Sequence, residues 1–390
     1  MRYSFRLAEL LGHIPDPRKR PGTIKSIVEH TGLDRHQVAS LLKNEVKYIP
    51  LKALSRLCDY LIDNGYATAE ELPGALFAVE PENFWELLAR RQLLELCLGV
   101  RRDVEVESPE VSYLVASDSV LLGELLNGVT TLGGTAKHLG PTVSLTEGVV
   151  SESNAAPRPH PEHLKQSLVW SPGQLTPDQI LDRANQVYDE FSQTAGDKAL
   201  VSIGSMKSNP VVEIMLASAF GCEPFESQDD LEHASERSVP FFLRYRDQDP
   251  KPNSCAAGVR LGKDLEAKEA GIYYEEQDGS WSVSRFKEGK EDTAFVFYVY
   301  RESQGRLEMS MAGFSGRATR MLARALSTRA EDFWPPVFEG QGIQIGAYIV
   351  QFAFDHRANS NTNILNTDLT ATTKVVPLHG DVFERRLSRM

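Results

Sequence analysis

Near the start of the chain, apolar residues recur at three- and four-residue spacing in two short adjacent stretches. Ile24, Ile27 and Val28 give the first a single stripe, and Val38, Leu41 and Leu42 give the second its own. Gly32 follows Thr31 and supplies the left-handed stop that glycine adopts at least cost. One apolar residue later, the Asp34 carboxylate is placed to accept from the unpaired N–H groups of a new helix. Pro50 interrupts the pattern, and Leu51, Leu54, Leu57, Cys58 and Leu61 then form a third stripe that closes over Leu7, Leu10 and Leu11. With a further helix expected from about Ala69, residues 1–80 read as an all-α head of five short helices.

Beyond the head, Phe84 to Leu98 (FWELLARRQLLELCL) reads as one amphipathic helix, so residues 81–103 are expected to be a linker or a dimerisation helix. The pattern changes in residues 104–354. VSYLVAS (111–117), KALVSIG (198–204) and LEMSMAG (307–313) are short apolar strands, each followed by a polar segment and a helical stretch. That threefold alternation predicts an α/β body with a mostly parallel sheet. GIYYEEQDGSWSVSRF (271–286) carries an Asp-Gly turn between alternating segments and predicts a β-hairpin insertion. Two strands joined across Gln304-Gly305 and a last one at 343–354 complete the body. Residues 151–163 read as a Pro-rich exposed loop, and 355–390 as a polar tail, extended or partly disordered.

On the second helix of the head, the positions opposite the apolar stripe are His36, Ser40, Lys43 and Lys47, with Gln37 and Asn44 on the flank. All six are polar and none is acidic. Such a face suits a major groove, where Gln pairs an adenine edge and Lys or His donates to guanine or phosphate. The competing reading is the solvated face of an ordinary helical bundle.

Residues 4 to 76 resemble the Cro and phage-repressor type of helix-turn-helix domain, the xenobiotic-response-element family. The resemblance rests on Thr23, Gly32, Asp34, Val38, Leu41, Asn44, Leu54 and Leu57. It implies that Asp34 caps a recognition helix whose Arg35, His36, Gln37, Ser40 and Lys43 face double-stranded DNA, with Thr23, Asn44 and Lys47 beside them. Two features depart from the family. Ile24 stands where Gln usually follows the Thr, and the connection 13–22 is longer, so Arg18, Lys19 and Arg20 are the residues available to replace that phosphate contact. Such domains commonly bind paired half-sites, and a homodimer is the expectation.

Charge separates the two parts. Residues 1–66 hold eleven Lys and Arg against seven Asp and Glu, a balance of +4, whereas the whole chain is at −12, leaving −16 for residues 67–390. A basic head on an acidic body fits a DNA-binding module joined to a sensing or assembly domain that DNA repels. The absence of any apolar run near 18 residues argues against a membrane partner, and a cytoplasmic location is expected. Cys58, Cys97, Cys222 and Cys255 have no paired short spacing, which leaves them as buried small hydrophobes. His160 and His163, without further ligands, read as solvated.

In the body, Gly204, Ser205, Ser208 and Asn209 follow one strand, and Ser315, Gly316, Arg317 and Thr319 follow another. Helix N-termini at the carboxyl ends of parallel strands bind anions, so these eight residues outline a site for an anionic or nucleotide-like effector. The competing reading is two ordinary helix starts. Familiar hydrolase, kinase and zinc-protease motifs are absent from the sequence. The alternative function is a nucleotide- or NAD-processing enzyme, for which Glu213 is the carboxylate to suspect, against its plainer role as a solvated first-turn Glu.

Overall fold

The computed structural model describes residues 3–11, 23–69, 72–73, 76–102, 112–132, 161–172, 176–194, 197–263, 265–340, 342–354 and 373–387. Arg18, Lys19, Arg20 and His160 lie outside them. The head contains β1 (Tyr3–Phe5), α1 (Leu7–Leu10), α2 (Thr23–Thr31), α3 (Arg35–Leu42), α4 (Leu51–Asp63) and β2 (Phe77–Val79). Leu7, Ile27, Val38, Leu41, Leu57 and Leu61 are wholly buried in one core, as the three stripes require. The fifth helix expected from about Ala69 lies partly outside the described residues, and β2 beyond it pairs antiparallel with β1. The head is therefore helical with a small two-stranded clasp, not all-α.

The stretch expected as one helix at 84–98 divides. Asn83 caps α5 (Phe84–Ala89), and the chain then turns into β3 (Leu93–Arg102), an inner strand of the large sheet. A strand buried on both faces is apolar at almost every position, and over so short a run periodicity does not distinguish it from a helix. There follow β4 (Ser112–Leu114), α6 (Ala116–Thr131), β5 (His163–Trp170), α7 (Pro177–Gln193), β6 (Lys198–Ile203) and α8 (Val211–Phe220). Next come β7 (Phe241–Arg244), β8 (Arg260–Gly262), β9 (Leu265–Glu266), β10 (Gly271–Glu275), β11 (Trp281–Arg285), β12 (Glu291–Arg301) and β13 (Arg306–Gly313). The chain continues through α9 (Gly316–Arg329), β14 (Phe338–Gly340), β15 (Ile343–Ala353), β16 (Thr373–Pro377) and α10 (Gly380–Leu387).

In the large sheet, β5, β3, β6 and β13 are mutually parallel in that order, and β12 and β15 continue it antiparallel, with β14 and β16 on the outer edge of β15. The sheet is mixed, a correction to the mostly parallel expectation. The tight turn at Glu302–Gly305 dictates this, because a connection that short joins only antiparallel strands. One face packs α5, α6 and α9 on Leu96, Val201, Met309 and Val296. The other carries α8, α10 and the three-stranded sheet β11-β10-β7 on Phe295, Phe297 and Ile349, with α7 over Cys97 and Leu200. Strands β10 and β11 pair antiparallel.

Part of the polar tail is likewise structured. From Thr373, β16 pairs with β15, and α10 buries Val382 and Phe383 while Arg386 pairs with the buried Glu275.

Charge is also buried inside the sheet. Glu308 of β13 accepts from Tyr188 Oη at 2.7 Å and pairs with Arg301 at 2.6 Å and with Arg306. Burial alone would raise its pKa, but the two guanidiniums outweigh burial and hold it at about 2, below the ordinary 4.5. Stability from this site is therefore complete above pH 4.5 and disappears as pH falls towards 2. Glu308→Gln leaves two half-buried arginines short of counter-charge and is expected to cost about 3 kcal/mol. Urea unfolding at neutral pH measures that loss, and the variant should show a shallower decline in stability below pH 4.5 than the parent.

Candidate nucleic-acid interface and the strand-end loops

Helix α2 stops where the sequence requires. Gly32 takes φ +76, its N–H reaches Val28 O at 2.9 Å, and Thr31 Oγ1 accepts from Leu33 N. Helix α3 then starts on a reciprocal cap: Asp34 accepts from Gln37 N at 2.8 Å, and Gln37 Oε1 accepts from Asp34 N at 3.2 Å. Gln37 therefore spends its carbonyl on the helix start, and its amide N–H groups are what it offers outward. Arg35, His36 and Lys47 are exposed, while Thr23, Gln37, Ser40 and Lys43 are half-buried. Tyr48, 75% exposed beside Lys47, was not singled out from sequence, and Leu51, expected in the third apolar stripe of the core, is instead 80% exposed at the start of α4. An aromatic in a polar connection was the available signal.

Asn44, at the C-terminal end of the expected reading face, is turned toward the body in this structure. It has φ +58, a left-handed position that Asn tolerates better than most residues. Its Oδ1 accepts from Phe5 N at 2.6 Å, and its Nδ2 donates to Glu302 Oε2 of the body at 2.7 Å. Gln344 Nε2 donates to the other Glu302 oxygen at 2.8 Å. Gly342 lies so close that a Cβ there would stand 2.3 Å from Lys43 O. The end of α3 thus meets the body directly.

The two strand-end loops do lie side by side, since Gly204 N donates to Met311 O of the neighbouring parallel strand. Their polar groups, however, are turned inward. Asn209 is fully buried, donates to Cys97 O and Ile203 O at 3.1 Å each, and accepts from Val211 N. Ser208 Oγ donates to Ser205 O, and Ser208 O accepts from Ser171 Oγ. A Cβ on Gly99 would fall 1.9 Å from Ser208 O, so β3 and this loop touch backbone to backbone.

Ser315 caps α9 through Arg317 N and Ala318 N and donates to Asp292, whose carboxyl is raised by burial against those hydrogen bonds. Thr319 Oγ1 accepts from Gly313 N and donates to Ser315 O. Gly316 is exposed, and the Arg317 guanidinium lies 3.3 Å from the Phe354 ring centroid. The eight residues form two well-bonded helix starts; they do not converge on a cradle for an anion. A cleft of about 480 Å³ opens at the same end of the sheet, between Ser284 and Arg285 of β11, Asp292 of β12, Phe352 of β15 and Lys374 of β16, and none of the eight lines it.

Cations missed from sequence stand nearby. Lys207, its pKa lowered by burial, lies 5.0 Å from the Tyr245 ring centroid and 3.3 Å from Asp249, which also pairs with Arg246. Glu213 is sealed in, accepting from Ser254 Oγ, Cys255 N and Phe225 N, and burial raises its carboxyl. That removes the carboxylate on which a nucleotide-cleaving site would depend. His163 opens β5 and is exposed. Among the described residues no three His, Cys, Asp or Glu are grouped to hold a metal ion, and no helix is long and apolar enough to cross a membrane.

Residues 18–62 match the family model of the Cro/C1-type HTH DNA-binding domain, a span that contains α2, α3 and nearly all of α4. Neither a curated protein nor a solved structure matches the chain.

The inward bonds of Asn209 generate a test. Asn209→Ala strands two carbonyls and one N–H in the interior, each costing about 1–3 kcal/mol. A drop of that order in urea stability without added ligand is expected, whereas a residue reserved for a ligand would leave the unliganded stability unchanged.

Proposed function

We propose that the protein is a sequence-specific DNA-binding transcriptional regulator. The Cro/C1-type domain supports this, and the observation that carries it is the α3 surface: a capped helix whose exposed side chains are donors, within residues 1–66 of charge +4, ahead of residues 67–390 of charge −16. In this reading α3 enters the major groove. Arg35 and His36, at its N-terminal end, reach base edges, together with the Gln37 amide and Ser40. Lys43 and Lys47, with Arg18, Lys19 and Arg20, neutralise phosphates, and Thr23 donates a hydrogen bond to one. Because one such helix reads few base pairs, the working form is a homodimer on two half-sites. The acidic body does not bind DNA. It serves assembly and regulation, and an effector, if one exists, belongs at the carboxyl end of the sheet, where the cleft and the cations Lys207, Arg246 and Arg317 gather.

Selection from a random pool of duplex DNA by the full-length protein tests the reading. One sequence should be enriched, and Arg35→Ala with His36→Ala should weaken its binding by about tenfold or more, since a good base contact is worth about 1–3 kcal/mol. Lys47→Ala should weaken specific and nonspecific binding alike and lower the salt slope by about one. Recovery of no preferred sequence would defeat the proposal, and undiminished binding by the Arg35/His36 variant would show that another face reads the DNA.

A further inference from the structure

Among the described residues the head and the body share no hydrophobic core: the apolar cluster of the head contains head residues alone, and those of the body contain none of them. What joins them is polar. Asn44 donates to Glu302, Arg6 lies 3.8 Å from Asp197, and α1 and β1 rest on the 302–304 turn. The covalent connection is short, four residues from Glu80 to Asn83 between β2 and α5. A polar contact of this kind separates without exposing a core, so motion about the connection is the physical default.

The contact also falls in a particular place. Lys43 and Asn44 close the C-terminal end of the surface that reads DNA, and there the body sets a carboxylate on the Asn44 amide and a backbone loop against Lys43 O. Glu302 takes a hydrogen bond that a nucleic-acid acceptor would take, and it brings negative charge to a surface built for phosphate. It is fixed in that position by Gln344 Nε2 and by its own N–H on Gly342 O at 3.1 Å.

We propose that this seam is an autoinhibitory contact, in which Glu302 occupies the end of the recognition helix in place of DNA and release about residues 80–83 uncovers the full reading surface. The inference rests on the DNA-binding reading above. Glu302→Ala removes the acceptor. Gly342→Ala forces the seam apart independently, because its Cβ has no room beside Lys43 O.

The experiment compares full-length parent and both variants on the duplex selected from the random pool. It adds cleavage by a glutamate-specific protease after Glu82 as a readout of seam opening. Both variants should bind about fivefold or more tighter than the parent, and both should be cut faster at Glu82. The parent should also be cut faster once duplex is added. Equal or weaker binding by both variants, at an unchanged cleavage rate, would overturn the inference while leaving DNA binding intact. If neither parent nor variants enrich a sequence, the DNA-binding reading falls and this inference falls with it.

Discussion

The buried pair of Arg91 and Asp197 is the interaction on which the arrangement of the molecule depends. The guanidinium and carboxylate meet at 2.5 Å with both side chains almost wholly buried. Arg91 also donates to Leu87 O and lies 4.6 Å from the Tyr300 ring centroid, while the backbone carbonyl of Asp197 accepts from Gln92 N and Leu93 N. One pair therefore fixes the turn from α5 into β3, the alignment of β3 on β6, and the side of β12 that faces them. Arg6 brings the head to the same carboxylate. Burying two charges is costly even when they meet, so the pair is better understood as a specification of geometry than as a source of net stability.

The two ends of the sheet use polarity differently. At the amino end of the parallel strands, ions are concentrated: Asp197 and Glu302 hold cationic or amide partners from distant segments, and Glu308 holds Arg301 and Arg306 of its own hairpin. At the carboxyl end, short side chains bond to nearby backbone, so Asn209, Ser315 and Thr319 complete helix starts and are already satisfied. The cations there are largely matched as well, Lys207 and Arg246 by Asp249 and Arg317 by an aromatic ring. A ligand at that end would have to compete with bonds already made.

How much was legible in the sequence follows from the range of each interaction. The turn of the head was readable because its determinants are local: Gly32 for a left-handed stop, Asp34 and Gln37 for a cap, and three stripes at helical spacing. The strand-loop-helix units around β6 and β13 were readable for the same reason. β3 was misread because an apolar run buried on both faces carries no period, and β5 was missed because its exposed positions continue the polarity of the loop before it. The contact of Asn44 with the body was not legible because its partner, Glu302, is 258 positions away, and nothing near either residue signals the other. The tail was misread for a similar reason: the polar composition of α10 concealed Arg386, whose partner Glu275 lies 111 positions earlier.

The return of the chain through β16 and α10 has a consequence for synthesis. The sheet is finished only when its last segment pairs with β15 and Arg386 reaches Glu275. Its inner strand β6 likewise waits for β13, about a hundred residues further on. The head, by contrast, closes through contacts among residues 5–76 and leaves the ribosome before the body does. For most of the time the chain is being made, a folded head exists without the body that will hold it.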